Sequence, residues 1–360
     1  MLFSRWGAFA YRFRRPIVLI TIALALASGT LASRVTDSLV AGGWTDPGSD
    51  SAAVSTRLAD EFGAGRGSIV ALFEGDGGAD ARSAEFQAMI ATSLRRLAAD
   101  PLVDGIIGYA ETGDDRFISR DGHSAYAVVR LTITDEDSAN EMPAIRALID
   151  KPAGATLSLA GVGPFTEDQA HQSEKELVQA ELVSGPFALL ILLAVFASVI
   201  AAGLPLIVAG LTIPTTLAAV YLVAQVTELS IYVQNVATML GLALAIDYSL
   251  FMVSRFREEL RRGRTVAQAV ETTVATSGKA VAFSGLAVAI GLSGLLLFTP
   301  SALRSFGIGG SLVVAASVFY ALTFLPAVLG MLGHRVNALS LGGLFRVVGR
   351  RLGRPDAAPS

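Results

Sequence analysis

The chain of 360 residues contains no cysteine, which excludes disulfides and any thiolate metal site. Its three histidines, His123, His171 and His334, share no local ligand spacing, so metal chemistry is set aside with thiol chemistry. Charge is scarce: 16% of residues are charged and 52% are hydrophobic, against about 25% charged in ordinary soluble domains. That shortage excludes a soluble globular protein and points to an integral membrane protein. No ATP-binding motif is present.

The charges that exist are unevenly placed. Residues 34–182 hold 12 basic and 25 acidic side chains, a net of −13, whereas the remainder carries a net of +10. An acidic, non-membrane domain is thus flanked by basic, membrane-associated segments, a distribution that argues against a nucleic-acid role. Arg5, Arg12, Arg14 and Arg15 precede an apolar run over residues 16–33, about the length of one bilayer crossing. A basic start before an apolar run also describes a signal peptide, and ALALASG offers small residues for cleavage; the length of the run favours a retained first span. Under either reading the basic end, residues 1–15, stays cytoplasmic and residues 34–182 lie outside.

Within 34–182 short helical and strand patterns alternate. Helices are expected over residues 49–62, 84–99 and 139–149. Strands are expected over 68–74, 103–109, 117–119, 124–132 and 156–160, with a hairpin tip at Arg120-Asp121-Gly122-His123. This order suits a small α+β sandwich of ferredoxin-like type. His123, on a turn, reads as a solvated histidine and not a base. The polar stretch FTEDQAHQSEKELVQAEL, residues 165–182, runs without a breaker into the next apolar segment, as a rigid link to the membrane would.

Residues 183–226 are 44 positions without a charge, enough for two helices of about 20 residues with a turn at Gly203-Leu204-Pro205. Parity supports two spans, because a single one would place the five arginines between Arg255 and Arg264 outside. A fourth span is expected over 229–254, a cytoplasmic amphipathic loop over 255–273, a fifth span over 279–298 and a sixth over 305–332, with Pro326 inviting a bend. The expected fold is therefore an α-helical membrane protein with six transmembrane helices and one extracytoplasmic α+β domain between the first and second. TM2 to TM6 lie within 183–333. The tail, 334–360, carries Arg346, Arg350, Arg351 and Arg354, so both termini are expected in the cytoplasm, and LFRVVGRRLGR reads as a surface helix on anionic lipid.

One residue stands out in this frame. Asp247 lies roughly 9 Å from the midpoint of its apolar window, where a carboxylate costs ~2.5 to 3.5 kcal/mol on insertion scales. It is either an acid held protonated or hydrogen-bonded as structural glue, or a carboxylate that gains and loses a proton as the protein changes shape. Tyr248, adjacent, points about 100° away, so each needs a partner on another helix. Ser284 and Ser293 of the fifth span, and Lys279 at its end, are the candidates, and for the serines simple packing is the competing reading. The glycines of the last three spans allow close helix approach. The cluster FREELRRGRT, residues 256–265, reads as solvated and orientation-setting. An intramembrane hydrolase would need a second membrane acid or a membrane histidine, and neither is present, so the chain is not read as an enzyme.

The run GLALAIDYSLFMVSRFREEL, residues 241–260, closely resembles the signature of the MMPL group (mycobacterial-membrane-protein-large) of the resistance-nodulation-division superfamily. The resemblance extends to GSDSAAVSTRLADEFGAG at 48–65, SRDGHSAYAVV at 119–129 and SGKAVAFSGLAVAI at 277–290. It implies a proton-motive-force-driven exporter of lipids or other hydrophobic small molecules in a bacterial plasma membrane. Residues 34–182 become a porter domain, and Asp247 and Tyr248, with Ser284, the proton relay. Protons are then the coupling ion, no cofactor or metal is involved, and membrane lipids and the hydrophobic substrate are the partners. The chain departs from the family in lacking an arginine between the second and third spans, and in matching one of the two halves that members usually have. The resemblance therefore implies a half-transporter or N-terminal half, acting as a homo-oligomer or with a second half. The alternative is a non-transporting membrane scaffold or a truncated remnant of a two-half protein.

Overall fold

The computed structural model of the chain describes residues 2–46, 48–62 and 66–338. The tail helix expected at 344–354 lies outside the described residues. The described residues divide into two compact units: those within 2–39, 177–298 and 302–338 form a helical unit, and those within 40–176 with 299–301 form a second unit built around a small sheet.

The chain opens with α1 (Leu2–Arg12), breaks at Phe13 (φ −102°), and continues as α2 (Arg14–Ala32), an apolar helix of 19 residues. In α2 the Thr21 hydroxyl donates to the Ile17 carbonyl at 2.7 Å, which satisfies a polar group without a partner from outside the helix.

The sheet unit follows as α3 (Asp50–Phe62), β1 (Ser68–Gly75), α4 (Ala84–Ala98), β2 (Val103–Ile107), the single turn α5 (Tyr109–Thr112), β3 (Ser124–Leu131), α6 (Asp135–Leu148) and β4 (Ala155–Ala160). The four strands are antiparallel in the order β2-β3-β1-β4. With α4 and α6 as the two crossovers this is the β-α-β-β-α-β arrangement of ferredoxin-like units. Alternation along β1 sends Ile69, Ala71 and Phe73 into the core, opposite Val129, Ala127 and Ala125 of β3. Phe73 thus faces a small residue, which leaves room for its ring. α4 adds Phe86, Ile90, Leu94 and Leu97 from one face, and α6 adds Met142 and Ile145.

Two expectations in this unit are corrected. The strand expected at 117–119 reduces to one bridge, Ile118 to Ala125, because Asp114 caps a short 3₁₀ turn at Asp115–Phe117 that consumes the start of it. α6 begins four residues before the expected start at 139. Thr134 accepts from the Asp137 N–H as N-cap, and Asp135, Glu136 and Asp137 occupy the first turn, where the helix dipole favours acids.

The remaining elements are α7 (Val162–Phe196), α8 (Val199–Ala224), α9 (Val233–Arg261), α10 (Val266–Thr273), a five-residue π turn at Val274–Gly278, α11 (Lys279–Ser293), α12 (Ser301–Leu322) and α13 (Phe324–Leu332). Among the described residues, five helical stretches are long and apolar enough to cross a membrane: Arg14–Ala32, Val199–Ala224, Val233–Arg261, Val266–Leu297 and Ser301–Asn337. The stretch expected as the second crossing is the shorter apolar Leu182–Phe196, which forms the end of α7.

It is short because the turn is not at Gly203-Leu204-Pro205, which lie inside α8. The chain breaks at Ala197, in the left-handed region at φ 50°, and Ser198 caps α8. Ser198 is buried, and its hydroxyl lies 2.9 Å from the carbonyls of Val336 and Ala338. A side chain that satisfies both the new helix and a distant chain segment sets the break; the glycine-proline pair does not. The expected cytoplasmic loop at 255–273 is likewise corrected. α9 continues to Arg261, a turn covers Arg262–Arg264, and Thr265 starts α10 with a capping box to Gln268.

The sixth expected span is interrupted at Thr323, three residues before Pro326. Proline lacks the N–H that would bond four residues back, so the Leu322 carbonyl is freed, and the Trp6 indole donates to it at 2.8 Å.

Candidate functional site

α9 carries Asp247 and Tyr248, the two residues expected from the sequence to form the site. It places Asp247 on an exposed face and buries Tyr248 against the bundle, as the 100° step between neighbours requires. The Asp247 carboxylate makes no hydrogen bond or ion pair with any described residue. Around it the outward face of α9 presents Met239 and Phe251, both exposed. A carboxylate in such apolar surroundings persists only where a partner, a proton or water reaches it.

Tyr248 points inward to α11. Its Oη lies beside the Ser284 hydroxyl without forming a hydrogen bond of normal geometry. Next to this contact Gly285 carries no side chain: a methyl there would stay in ordinary contact with Tyr248 Oη at 3.5 Å but would overlap Val318 Cγ2 of α12. Gly285 therefore lets α11 approach α12 closely at the level of Tyr248.

Of the partners expected for Asp247 and Tyr248, the structure brings Ser284 to Tyr248. Ser293 turns its hydroxyl back to the Ile290 carbonyl at 2.8 Å, and Lys279 is exposed with its ammonium over the Phe283 ring at 5.9 Å. Neither meets Asp247. Four further buried hydroxyls, Thr212, Ser249, Ser311 and Ser317, have no hydrogen-bond partner among the described residues. They went unnoticed in the sequence because a hydroxyl in an apolar helix normally bonds its own helix carbonyl, as Thr215, Thr216 and Thr238 do here. Unpartnered buried hydroxyls keep a donor and an acceptor free, which a route for protons between helices needs.

The charge cluster after Asp247 is partly solvated, as expected, except at its centre. Glu259 is fully buried and pairs with Arg255 Nη2 at 2.8 Å, Arg262 Nη1 at 2.9 Å and Arg264 Nε at 2.7 Å. Glu258 pairs with Arg255 and Arg262 on the outer side. The signal was in the spacing, since 255 with 259 and 258 with 262 are i,i+4 pairs that only a continuing helix aligns. Arg257 extends the cluster, donating to the Phe196 carbonyl at 2.8 Å and to Asn337 Oδ1 at 2.6 Å. The end of α9 is thereby clamped to the break between α7 and α8 and to the segment after α13.

In the sheet unit, His123 is exposed on its turn, with Nδ1 3.1 Å from the Ala79 carbonyl. Among the described residues no group of three or more His, Asp or Glu side chains is placed to hold a metal ion.

Comparison with known proteins places these features in context. The sequence model of the MMPL family matches residues 43–354. The trehalose monomycolate exporter MmpL3 of Mycobacterium tuberculosis is 32% identical over 355 residues, covering 96% of this chain and 37% of that protein. MmpL3 of Mycolicibacterium smegmatis is 31% identical over 358 residues, 96% of this chain and 35% of that protein. The mycolic acid-containing lipids exporter MmpL11 of the same organism is 41% identical over 173 residues, 48% of this chain and 18% of that protein. The chain spans little more than a third of the length of the two MmpL3 proteins. These relatives are named as exporters, not as enzymes.

Proposed function

Because this chain belongs to the MMPL family and has several helices apolar enough to make it a multi-pass membrane protein, we propose that it is a proton-motive-force-driven lipid exporter component. It moves lipids or other hydrophobic small molecules across the bacterial plasma membrane as one half of a transporter. Six crossings, the sixth supplied by the apolar end of α7, place both termini in the cytoplasm and residues 34–182 outside as a porter domain. The exporter names of its relatives support the substrate class.

The observation that carries the proton coupling is the exposed, unpaired Asp247 on an apolar helix, with Tyr248 beside it reaching Ser284. A proton arriving from outside neutralises Asp247 and removes the cost of its charge in hydrocarbon; release to the cytoplasm restores that cost. The two states favour different packings of α9, and the helix passes the difference on. Each charge crossing 100 mV supplies ~2.3 kcal/mol, enough to drive modest accumulation. The face that carries Asp247 is open, so the partner is a second half with facing groups, supplied by another copy of this chain or by a separate polypeptide.

The same open face fits a second reading, a non-transporting membrane scaffold or a remnant of a two-half transporter. Lipid export into proteoliposomes under an imposed pH gradient separates the two. Export that collapses in Asp247→Asn, with thermal stability unchanged, supports the relay. Gradient-dependent export retained in that variant would sink the relay, and no export from the native chain with or without a second half would leave the scaffold.

A further inference from the structure

α1 divides into three faces. Phe3, Gly7, Ala10 and Tyr11 turn toward the helical unit. Gly7 lets the helix approach the Glu271 backbone, where a methyl would sit 2.9 Å from its Cα, and the Ser4 hydroxyl donates to Glu271 Oε1 at 2.5 Å. The second face is an exposed apolar stripe of Leu2, Trp6 and Phe9, continued by Phe13. It follows the three- and four-residue spacing of a helix face. Its rings touch in series, Trp6 stacked on Phe9 at 5.3 Å and Phe9 tilted against Phe13 at 4.8 Å. The third face, beside the stripe, carries Arg5 and Arg12, exposed two turns apart, with Arg15 exposed just beyond the break. None of the three has an acidic partner among the described residues, and Arg12 instead caps the stripe, 5.6 Å from the Phe13 ring centre.

Three exposed aromatic rings in line are not a surface that water tolerates without purpose. The apolar medium within reach is the bilayer, because α2, an apolar membrane-length helix, begins at Arg14, two residues after α1 ends. The Trp6 indole N–H already donates to the Leu322 carbonyl, so what it turns outward is the apolar ring. An apolar stripe bordered by unpaired arginines is the pattern of a helix lying at the boundary of headgroups and acyl chains, with its cations at the depth of the phosphates.

We propose that α1 is an interfacial site for anionic phospholipid: Trp6, Phe9 and Phe13 insert beside the acyl chains, and Arg5, Arg12 and Arg15 hold the anionic headgroups. This is independent of export and of which side of the membrane α1 occupies. The test uses the full chain in nanodiscs with the same lipids in both leaflets. The chain has two tryptophans, so Trp44→Phe leaves Trp6 as the sole reporter. Chain-brominated phosphatidylglycerol in a phosphatidylcholine bilayer is expected to quench Trp6, with an apparent affinity about fivefold or more above that of brominated phosphatidylcholine in phosphatidylglycerol. Replacing Arg5, Arg12 and Arg15 with Gln is expected to equalise the two lipids while leaving the quenching itself in place. Equal quenching by both lipids in the unsubstituted arginine background would overturn the proposal. So would anionic preference surviving the arginine replacements, or quenching by aqueous iodide but by neither brominated lipid; that last result would mark the stripe as a docking face for a soluble partner.

Discussion

Glu259 offers a test of how the helix that carries Asp247 is anchored, because its ion pairs can be broken from either side with different consequences. The side chain has no solvent exposure, whereas those of its partners Arg255, Arg262 and Arg264 are 26%, 52% and 47% exposed. Glu259→Gln removes the buried charge and leaves three arginines that water reaches, two of them still paired with Glu258. The loss is that of one charge-assisted hydrogen bond, from Arg262, and two further ion pairs, partly replaced by hydration, ~1.5 to 3 kcal/mol. Replacing the three arginines with Gln instead strands a carboxylate without counter-charge, which costs ~3 to 5 kcal/mol. The two perturbations are therefore not additive: in the triple-arginine background Glu259→Gln should become neutral or stabilising, since it then removes an orphan charge. Equilibrium unfolding of the four proteins in one mixed micelle composition measures this cycle. A Glu259→Gln penalty equal in both backgrounds would refute the assignment of Glu259 as the buried hub of the cluster.

At Gly285 the added methyl of Ala overlaps Val318, so Gly285→Ala should lower stability by ~1 to 3 kcal/mol, and Val318→Ala in the same chain should restore most of it. Thermal unfolding of the single and double variants reports this, and no rescue would mean that the helices do not meet at this glycine. In the sheet unit, the Ser119 hydroxyl and then the His123 backbone N–H, both donating to Asp121, hold its carboxyl below the ordinary value of 3.8. A depressed folded value means that this contribution is complete above 3.8 and is lost as pH falls through the lower folded value. Protection factors in the 119–124 turn, exchange rates corrected for the intrinsic pH dependence of amide exchange, should then fall on acidification through that lower value and stay constant from 3.8 to neutrality; a fall already near neutrality would contradict it.

Much of the architecture was legible because it rests on periodicity. The continuous apolar run at 68–74, the strand pattern at 124–132 and the helical spacing at 84–99 placed β1, β3 and α4 within a residue or so, since buried positions write themselves into the sequence directly. The misses share a cause. The break at Ala197 and the continuation of α9 to Arg261 were each decided by a partner distant in the chain: Ser198 by Val336 and Ala338, and Arg257 by Phe196 and Asn337. Local turn signals such as Gly203 with Pro205 lose to a long-range hydrogen bond inside an apolar bundle, where an unsatisfied carbonyl has no water to turn to.

The sequence by itself determined that the chain is a membrane protein, which stretches are apolar, that one acid, Asp247, sits among them with Tyr248 at its side, and which family the run around them resembles. Composition and spacing suffice for these, because the cost of charge in hydrocarbon acts residue by residue. Only the tertiary structure decided that Asp247 stays on an open face while Tyr248 turns inward to Ser284, that Gly285 lets α11 approach α12 at that level, and that Glu259 is a buried hub where solvated charge was expected. Each of these depends on which neighbouring helix covers a given face, and a helix's own sequence does not contain that information.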